Sequence, residues 1–511
     1  MRKRKIAVTL NRASIIVGFV AAVMILGFAA MSPLAAATPV ITDLSISDAV
    51  EDALLMDKAV PSYRITVATV NGIVSLRGTV DNILAKERAA RLAGIVKGVR
   101  GVVNKLNVDP PVLRTDLQIR DDVEDALLTD PATDSFEIDV KVNDNMVTLA
   151  GTVQSWQEHA LCEKVTKGVK GVKGVNNEIS VVWPKERSDY EIKTDVENAL
   201  KWDVFVDHAL IDVKVKDGEV ILIGTVGSAA EKSQAAWDAY VNGVKSVDHD
   251  WLKVRKWARD DDLKGEKYAE KSDKEIENAV SDALLYDPRV SFFKVTPEVS
   301  GMTVTLRGTV DNLKAKRAAA EDARNTVGVR RVENRIKVRP TELQSDRKLE
   351  ERVSRAFLRD PYLESYEITV DVRNGVAKLY GTVDTYFEKS QADDVASRVN
   401  GVIMVDNNLV VQMKDKPYTY DPYVDNWYSY DYNSYYRSPP YPFGNDLQIK
   451  KDIENELFWS PFVDADDVNI MVDEGVVTLT GSVDSWSEYH AAAKNAYEGG
   501  AVYVDNELTV E

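Results

Sequence analysis

A five-residue signature, Leu-x-Gly-[Thr/Ser]-Val, occurs six times in this 511-residue chain. Successive signature glycines are separated by 73, 73, 84, 73 and 100 residues, so a period of 73 is interrupted by insertions of 11 and 27 residues. An apolar residue precedes every signature glycine by 24 positions, and a second glycine follows it by 19 or 20. A fixed period of this length predicts six copies of one small folded unit. The signature glycines are Gly78, Gly151, Gly224, Gly308, Gly381 and Gly481.

The second copy illustrates the local structure that each unit is expected to adopt. Val123, Ala126 and Leu127 have the three-and-four spacing of an amphipathic helix. Alternating apolar residues around a short turn then predict a two-stranded hairpin whose second strand ends at the signature glycine. Ser155, four residues past the glycine, is a suitable N-cap for a second helix, and Glu158 is expected to complete a reciprocal capping box with it. A short third strand closes the unit. The sequence therefore predicts an α+β fold in which two helices cover one face of a three-stranded sheet.

The register of the repeats predicts the domain boundaries. A charged linker is expected at 255–271, and a segment rich in tyrosine and proline at 414–445 separates the last two units. That segment either serves as a linker or covers a neighbouring surface with its rings. The six units, numbered 1 to 6 in chain order, are expected at 45–109, 116–183, 189–254, 272–339, 345–413 and 446–511.

The element order and the shared residues L-x-G-T-V…G-V-x-x-V-x-N resemble the BON domain. This domain is found in osmotically inducible periplasmic proteins and in other proteins of the bacterial envelope. The resemblance covers most of the chain. It implies a non-enzymatic module that associates with phospholipid surfaces or maintains the envelope under osmotic stress.

The N-terminal residues have the pattern of an export signal. Basic residues at 2–5 precede an uncharged apolar run at 15–31, and small residues lead to an expected cleavage after Ala37. Removal of 1–37 as a signal peptide would deliver the chain to the periplasm. The alternative is an uncleaved anchor in the inner membrane formed by residues 13–31.

The charge and the scarcity of reactive side chains exclude several function classes. With 64 basic and 82 acidic residues the chain has a net charge of −18, and the loss of the five basic residues in 1–37 changes it to −23. Such acidity argues against nucleic-acid binding. The single cysteine, Cys162, and four scattered histidines do not have the spacing of a catalytic or metal site. We therefore expect no enzyme activity, no metal and no cofactor.

Large side chains at two recurring positions are candidates for membrane or partner contact. Those at the start of the second helix are Trp156, Tyr386 and Trp486, and those at the end of the first helix are Trp202, Tyr286, Phe458 and Trp459. Aromatic rings suit the headgroup level of a bilayer, but rings at a helix start can also fold back onto their own unit. Nearby cations either neutralise anionic headgroups or lie on ordinary solvated helix faces: Lys86, Arg88, Lys314, Lys316 and Arg317.

The sequence thus predicts an exported, non-catalytic repeat protein that binds a phospholipid surface or other envelope components. Linked units of low affinity would bind together more strongly than one unit alone. The alternative is a periplasmic chaperone-like or scaffold protein whose exposed apolar surface binds other proteins.

Overall fold

The computed structural model describes residues 41–510 with short gaps. The gaps are 58, 131–137, 184–185, 260–266, 268, 270, 288–289, 291–294, 341–343, 364–367 and 412–443. The expected export signal at 1–37 lies outside the described residues, and so does most of the segment rich in tyrosine and proline. The described residues form one compact body.

Each unit contains a first and a second helix, and N-cap side chains begin both of them. The first helices are Asp43–Met56, Asp116–Thr129, Asp189–Trp202, Asp273–Tyr286, Asp346–Arg359 and Asp446–Trp459. The second helices are Ile83–Gly94, Trp156–Lys167, Ala229–Asp238, Leu313–Arg324, Tyr386–Ser397 and Trp486–Glu498.

Each unit also contains a sheet with the second strand at its centre. The first strands are Ile65–Val70, Ile138–Asn143, Ile211–Lys216, Val295–Ser300, Ile368–Arg373 and Val468–Asp473. The second strands are Ile73–Val80, Met146–Val153, Glu219–Val226, Thr303–Val310, Val376–Val383 and Val476–Val483. The third strands are Gly101–Val108, Gly174–Val181, Ser246–Asp248 with Leu252–Val254, Arg331–Asn334 with Lys337–Val338, Met404–Val411, and Tyr503–Asn506 with Thr509–Val510.

The predicted α+β unit is confirmed, and the sheet is mixed. The first strand pairs antiparallel with the second, and the third strand pairs parallel with the second. A parallel pair requires a crossover, which the second helix provides. Alternate residues of the central strand, such as Val74 and Leu76, are buried against the helices. Each unit accordingly has its own apolar core on one side of its sheet.

An aspartate at the first position of each first helix holds the hairpin turn of its own unit. In unit 1 the carboxylate of Asp43 accepts hydrogen bonds from the backbone N–H groups of Asn71, at 2.7 Å, and Gly72, at 2.8 Å. Both turn residues have positive φ, of 51° and 73°, as a two-residue hairpin of this type requires. The same pair of bonds recurs in all six units at 2.7–3.2 Å, made by Asp43, Asp116, Asp189, Asp273, Asp346 and Asp446.

The signature glycine lies inside the second strand, so its predicted place at the strand end was wrong. Gly481 has a φ of 128° and pairs with Val468 at the start of the first strand. A Cβ atom at this position would lie 2.0 Å from the carbonyl oxygen of Asp467. The strand nevertheless continues to Val483, and its pairing with the third strand resumes at Ser482 and Val483. The close approach explains why the signature requires glycine.

The predicted N-caps of the second helices are confirmed, with a different partner for the following glutamate. The Ser155 hydroxyl accepts a hydrogen bond from the Glu158 backbone N–H at 3.1 Å. The Glu158 carboxylate accepts from the backbone N–H of Gln154, one residue before the N-cap, at 2.8 Å. Reciprocal capping boxes are found instead at first helices, where Ser188 and Glu191 are one such pair.

We predict that Gly481→Ala destabilises unit 6 by at least about 2 kcal/mol, because a side chain there combines a disfavoured φ with a backbone clash. Hydrogen exchange across 446–510 measures the change without assuming that six units unfold together. Gly444→Ala is the control, since an added Cβ there makes only ordinary contacts with Gln448 and Ile449. Equal protection in the two variants would contradict the proposed steric role of Gly481.

Candidate functional site

The described candidate side chains at the starts of second helices contact other units. Trp156 of unit 2 donates from Nε1 to the carbonyl of Val244 in unit 3 at 2.6 Å, and its ring lies 5.1 Å from that of Tyr240. Trp486 of unit 6 lies under the guanidinium of Arg330 in unit 4, which is 4.4 Å from the ring centroid. The side chain of Tyr386 in unit 5 lies outside the described part. Both described indoles are half-buried.

The same helix position joins the first three units in a ring. Ile83 of unit 1 belongs to the core of unit 2, Trp156 of unit 2 contacts unit 3, and Ala229 of unit 3 packs against the core of unit 1. In the second half of the chain, Leu313 of unit 4 belongs to the core of unit 5, and Trp486 of unit 6 contacts unit 4. In both halves the second helix of one unit contacts the next unit of the same half, and the last unit contacts the first.

The ends of first helices join units of the two halves in pairs. The last residue of the helix offers its carbonyl oxygen to the backbone N–H of the residue before the second glycine of the paired unit. Three such bonds are described, from Lys97 to Trp459 at 3.0 Å, from Lys170 to Arg359 at 2.7 Å and from Val327 to Trp202 at 2.9 Å. They pair unit 1 with 6, unit 2 with 5 and unit 3 with 4. These three pairings and the contacts among units within each half together have the pattern of a threefold axis crossed by twofold axes.

The candidate rings at first-helix ends take part in these pairings. Trp459 packs against the core of unit 1, and Phe458 lies 5.1 Å from the Lys97 ammonium of the same unit. Trp202 is half-buried, and the Lys201 ammonium lies 5.5 Å from the centroid of its ring. Tyr286 ends its helix, but its side chain lies outside the described part. The structure thus distributes the five described candidate rings over several junctions and does not bring them together on one surface.

The expectation that the nearby cations face headgroups was wrong for three of the five. Lys314 of unit 4 is buried and bonds to Asp130 of unit 2 at 3.0 Å. Arg88 is buried against Asp57 at 2.5 Å, and Arg317 bonds to Asp393 of unit 5 at 2.5 Å. Burial lowers the pKa of Lys314, and Asp130 opposes this shift. A buried ammonium needs such a partner, since removal of one member of a buried pair typically costs about 3–5 kcal/mol.

The linker contributes a buried lysine to unit 3. The Lys267 ammonium donates to the carbonyl of Val206 and lies 3.9 Å from Asp207. Desolvation raises the pKa of Asp203 to about 6 and that of Glu231 to about 7, whereas the positive charge of Lys267 lowers both. Asp203 also forms a β-bridge with Thr326 of unit 4. The lysine therefore balances acidic groups beside the junction of units 3 and 4.

Cys162 and His159 are packed against other residues of the fold. Cys162 is buried in the core of unit 2, and desolvation raises the pKa of its thiol to about 12. His159 packs edge-on against Trp156 at a centroid distance of 5.0 Å. Within the described ranges, no group of three His, Cys, Asp or Glu side chains is placed to hold a metal ion. None of the described helices combines the length and apolar composition that a bilayer-spanning segment needs.

Four exposed apolar side chains that our sequence reasoning missed lie at the starts of first helices. We call them the helix-start residues, and each directly follows the turn-binding aspartate of its unit. Their position after an N-cap, outside the buried stripe, is the sequence signal that could have identified them. In units 4 and 5 the same position holds Lys274 and Arg347. The helix-start residues and their exposed fractions are Leu44 at 72%, Leu117 at 58%, Tyr190 at 80% and Leu447 at 79%.

Comparison with protein families assigns all six units to one model, the BON domain. The matched ranges are 42–110, 115–182, 188–256, 272–340, 345–413 and 445–511. The chain belongs to the BON family. The resemblance inferred from the sequence is thereby confirmed.

Two curated relatives contain the same domain. The chain is 36% identical over 135 residues to Osmotically-inducible protein Y of Escherichia coli K12, covering 25% of this chain and 67% of that protein. It is 30% identical over 182 residues to the Outer membrane lipoprotein DolP of Haemophilus influenzae Rd, covering 34% of this chain and 93% of that protein. Among solved structures, CdsD, a structural protein of the type III secretion system of Chlamydia trachomatis, matches at 15% identity with a TM-score of 0.12. That match covers 39% of this chain and 88% of the solved one, and its TM-score is too low to relate the two architectures.

We predict that Trp459→Ala, a substitution in unit 6, loosens unit 1 as well. The lost contacts with the core of unit 1 should cost about 2–3 kcal/mol, less than for a fully buried tryptophan. Hydrogen exchange in 83–108 should report the loss. The control is Leu447→Ala on the same helix, which should change stability by less than about 0.5 kcal/mol because the side chain is 79% exposed. Unchanged protection of unit 1 in Trp459→Ala would show that the Trp459 side chain does not stabilise unit 1.

We further predict that Lys267→Met is more destabilising at pH 8 than at pH 5. An acid whose pKa is raised by folding contributes stability at pH values below its pKa in the unfolded chain, near 4. That contribution is lost as the pH rises through its pKa in the folded chain. With pKa values of about 6 and about 7, Asp203 and Glu231 are largely protonated at pH 5. At pH 8 both are charged and need the Lys267 ammonium as a partner. The expected loss at pH 8 is about 3 kcal/mol.

Thermal unfolding of the Lys267→Met variant and the unchanged protein at both pH values measures this difference. Lys274→Met is the control, since its side chain is 72% exposed and its pairing with Glu277 is at the surface. An equal loss at both pH values would show that Lys267 acts through packing alone.

Proposed function

We propose that this chain is an exported, non-catalytic BON protein that associates with phospholipid or other components of the bacterial envelope. The observation that carries the proposal is family membership over six units, together with the match to nearly all of a protein named as an outer membrane lipoprotein. The match to an osmotically inducible protein supports a role in envelope maintenance during osmotic stress. On this proposal the chain acts in the periplasm, with residues 1–37 as its export signal or 13–31 as its anchor.

The helix-start residues are the proposed apolar contacts with the envelope. They are exposed, whereas the five described candidate rings at helix ends are half-buried at junctions between units. A leucine that projects into the headgroup region gains free energy by leaving water, at about 25 cal/mol for each Å² of apolar surface. Apolar contacts that engage the same surface at the same time act together, because binding of the first raises the effective concentration of the others.

A second candidate function is the binding of other proteins by a chaperone-like or scaffold mechanism. The exposed leucines and tyrosine favour this candidate equally, since apolar side chains on a surface also suit protein partners. The two candidates differ in their dependence on lipid charge and salt. Attraction to anionic headgroups weakens as salt screens the charges, whereas apolar contact with a protein does not require them.

We predict that residues 38–511 co-sediment with vesicles that contain anionic phospholipid and that added salt reduces binding. Replacing Leu44, Leu117, Tyr190 and Leu447 by serine should weaken binding at least about tenfold, as several apolar contacts are lost. The matched control replaces four exposed polar residues of the same helices, Asp48, Asp121, Thr194 and Lys451, by serine. Failure of the unchanged protein to bind any vesicle, together with suppression of client-protein aggregation, would favour the second candidate.

A further inference from the structure

The open face of the sheet in unit 4 carries a group of cations in an otherwise acidic chain. Its third strand provides Arg331 and Lys337, the residues directly after the two parts of that strand are Arg335 and Arg339, and the neighbouring central strand provides Arg307. All five residues are exposed, with side-chain fractions of 72% for Arg331, 56% for Arg335 and 49% for Arg307. We call these five residues the unit 4 cationic face.

Strand geometry places these side chains on the side of the sheet away from the core. Ile336 is 1% exposed and belongs to the core of unit 4, and Val338 packs partly against the same core. Successive side chains of an extended segment point to opposite sides, so Arg335, Lys337 and Arg339 project outwards. Residues two apart in such a segment are separated by about 6.6 Å, which spreads the charges along the strand.

Carboxylates neutralise only part of this charge. Glu333 accepts bonds from Arg335, at 2.6 Å, and lies 4.0 Å from Arg331, while Glu298 accepts from Arg307 at 3.0 Å. Among the described residues, no carboxylate forms an ion pair with the side chain of Lys337 or Arg339. Five cations against two carboxylates leave this face with a net charge of +3, although the whole chain carries −18.

The fold does not require cations at these positions. The residue that pairs in register with Thr309 is Lys337, and its equivalents in units 1, 2, 5 and 6 are Asn107, Ser180, Val410 and Thr509. Asn334 pairs with the signature leucine, Leu306, and Arg335 is the next residue. The equivalents of Arg335 in units 1, 2, 5 and 6 are Lys105, Glu178, Asn408 and Glu507. Four related sheets thus form with neutral or acidic side chains at most of these places, so packing does not explain the cationic face.

From this geometry we propose that the unit 4 cationic face is the surface through which the chain docks on anionic phospholipid headgroups. The inference rests on the proposed function and assigns the electrostatic attraction to the membrane to one unit of six. The face is an open sheet with charges spread over its third and central strands, which suits an extended layer of negative headgroups. The rest of the acidic body is repelled by such a layer, so this face orients the chain on the membrane.

The test compares two triple variants of the full mature chain. Arg335→Gln, Lys337→Gln and Arg339→Gln remove three charges from the cationic face. The matched control, Arg347→Gln, Lys348→Gln and Arg355→Gln, removes three exposed charges from the first helix of unit 5. The probe is vesicles of phosphatidylcholine with phosphatidylglycerol, and pure phosphatidylcholine vesicles set the baseline.

We expect the unit 4 variant to bind anionic vesicles at least about tenfold more weakly, because each cation that contacts the headgroup layer contributes about fivefold to the affinity. Binding of the control variant should change by less than about threefold. Thermal unfolding should be unchanged in both, because all six side chains are exposed. Equal weakening in the two variants, or unchanged binding of the unit 4 variant, would overturn the inference while leaving membrane association intact. Absence of vesicle binding by the unchanged chain would defeat the phospholipid-binding part of the proposed function itself. Binding of an acidic protein lost only in the unit 4 variant would then assign the face to protein recognition.

Discussion

The backbone carbonyl at the end of a first helix lacks an intrahelical partner, and the assembly of the six units depends on where it finds one. In the three described junctions it accepts a hydrogen bond from the residue before the second glycine of a unit in the other half of the chain. A helix end without such a partner would be exposed to water or left unsatisfied. Because the bond is made by the backbone, the three pairings use one geometry even though the acceptors are Trp202, Arg359 and Trp459.

The side chains around these backbone bonds make each junction different. Trp459 fills the junction of units 1 and 6, whereas the bond from Lys170 to Arg359 joins units 2 and 5. The pair formed by Lys314 and Asp130 connects units 2 and 4, which are neighbours neither in sequence nor by backbone pairing. An arrangement of units that separated Lys314 from Asp130 would leave a charge buried alone, which costs free energy. We infer that these side chains determine which unit occupies which place.

The internal structure of a unit was largely predictable, because its determinants are local. The six N-caps and the order of helices and strands follow from spacing that the sequence displays directly. The turn-binding aspartate was missed although it stands 35 residues before every signature glycine, since its bonds reach across the unit to a turn 28 and 29 residues away. The parallel third strand was also not foreseen. Neither its direction nor the partner of Glu158 can be read from periodicity, as both depend on how the second helix crosses the sheet.

By itself, the sequence determined that six BON units would form, where the N-caps of their second helices would lie and which face of each helix would be buried. Those properties depend on contacts within about 70 residues and on periodic burial. The tertiary structure alone decided that unit 1 meets unit 6, that Arg88 and Lys314 are buried while the helix-start residues are exposed, and that Lys267 lies among the acidic groups of unit 3. These outcomes depend on contacts between distant parts of the chain, and residues of identical type and spacing can be buried or exposed according to which unit packs against them.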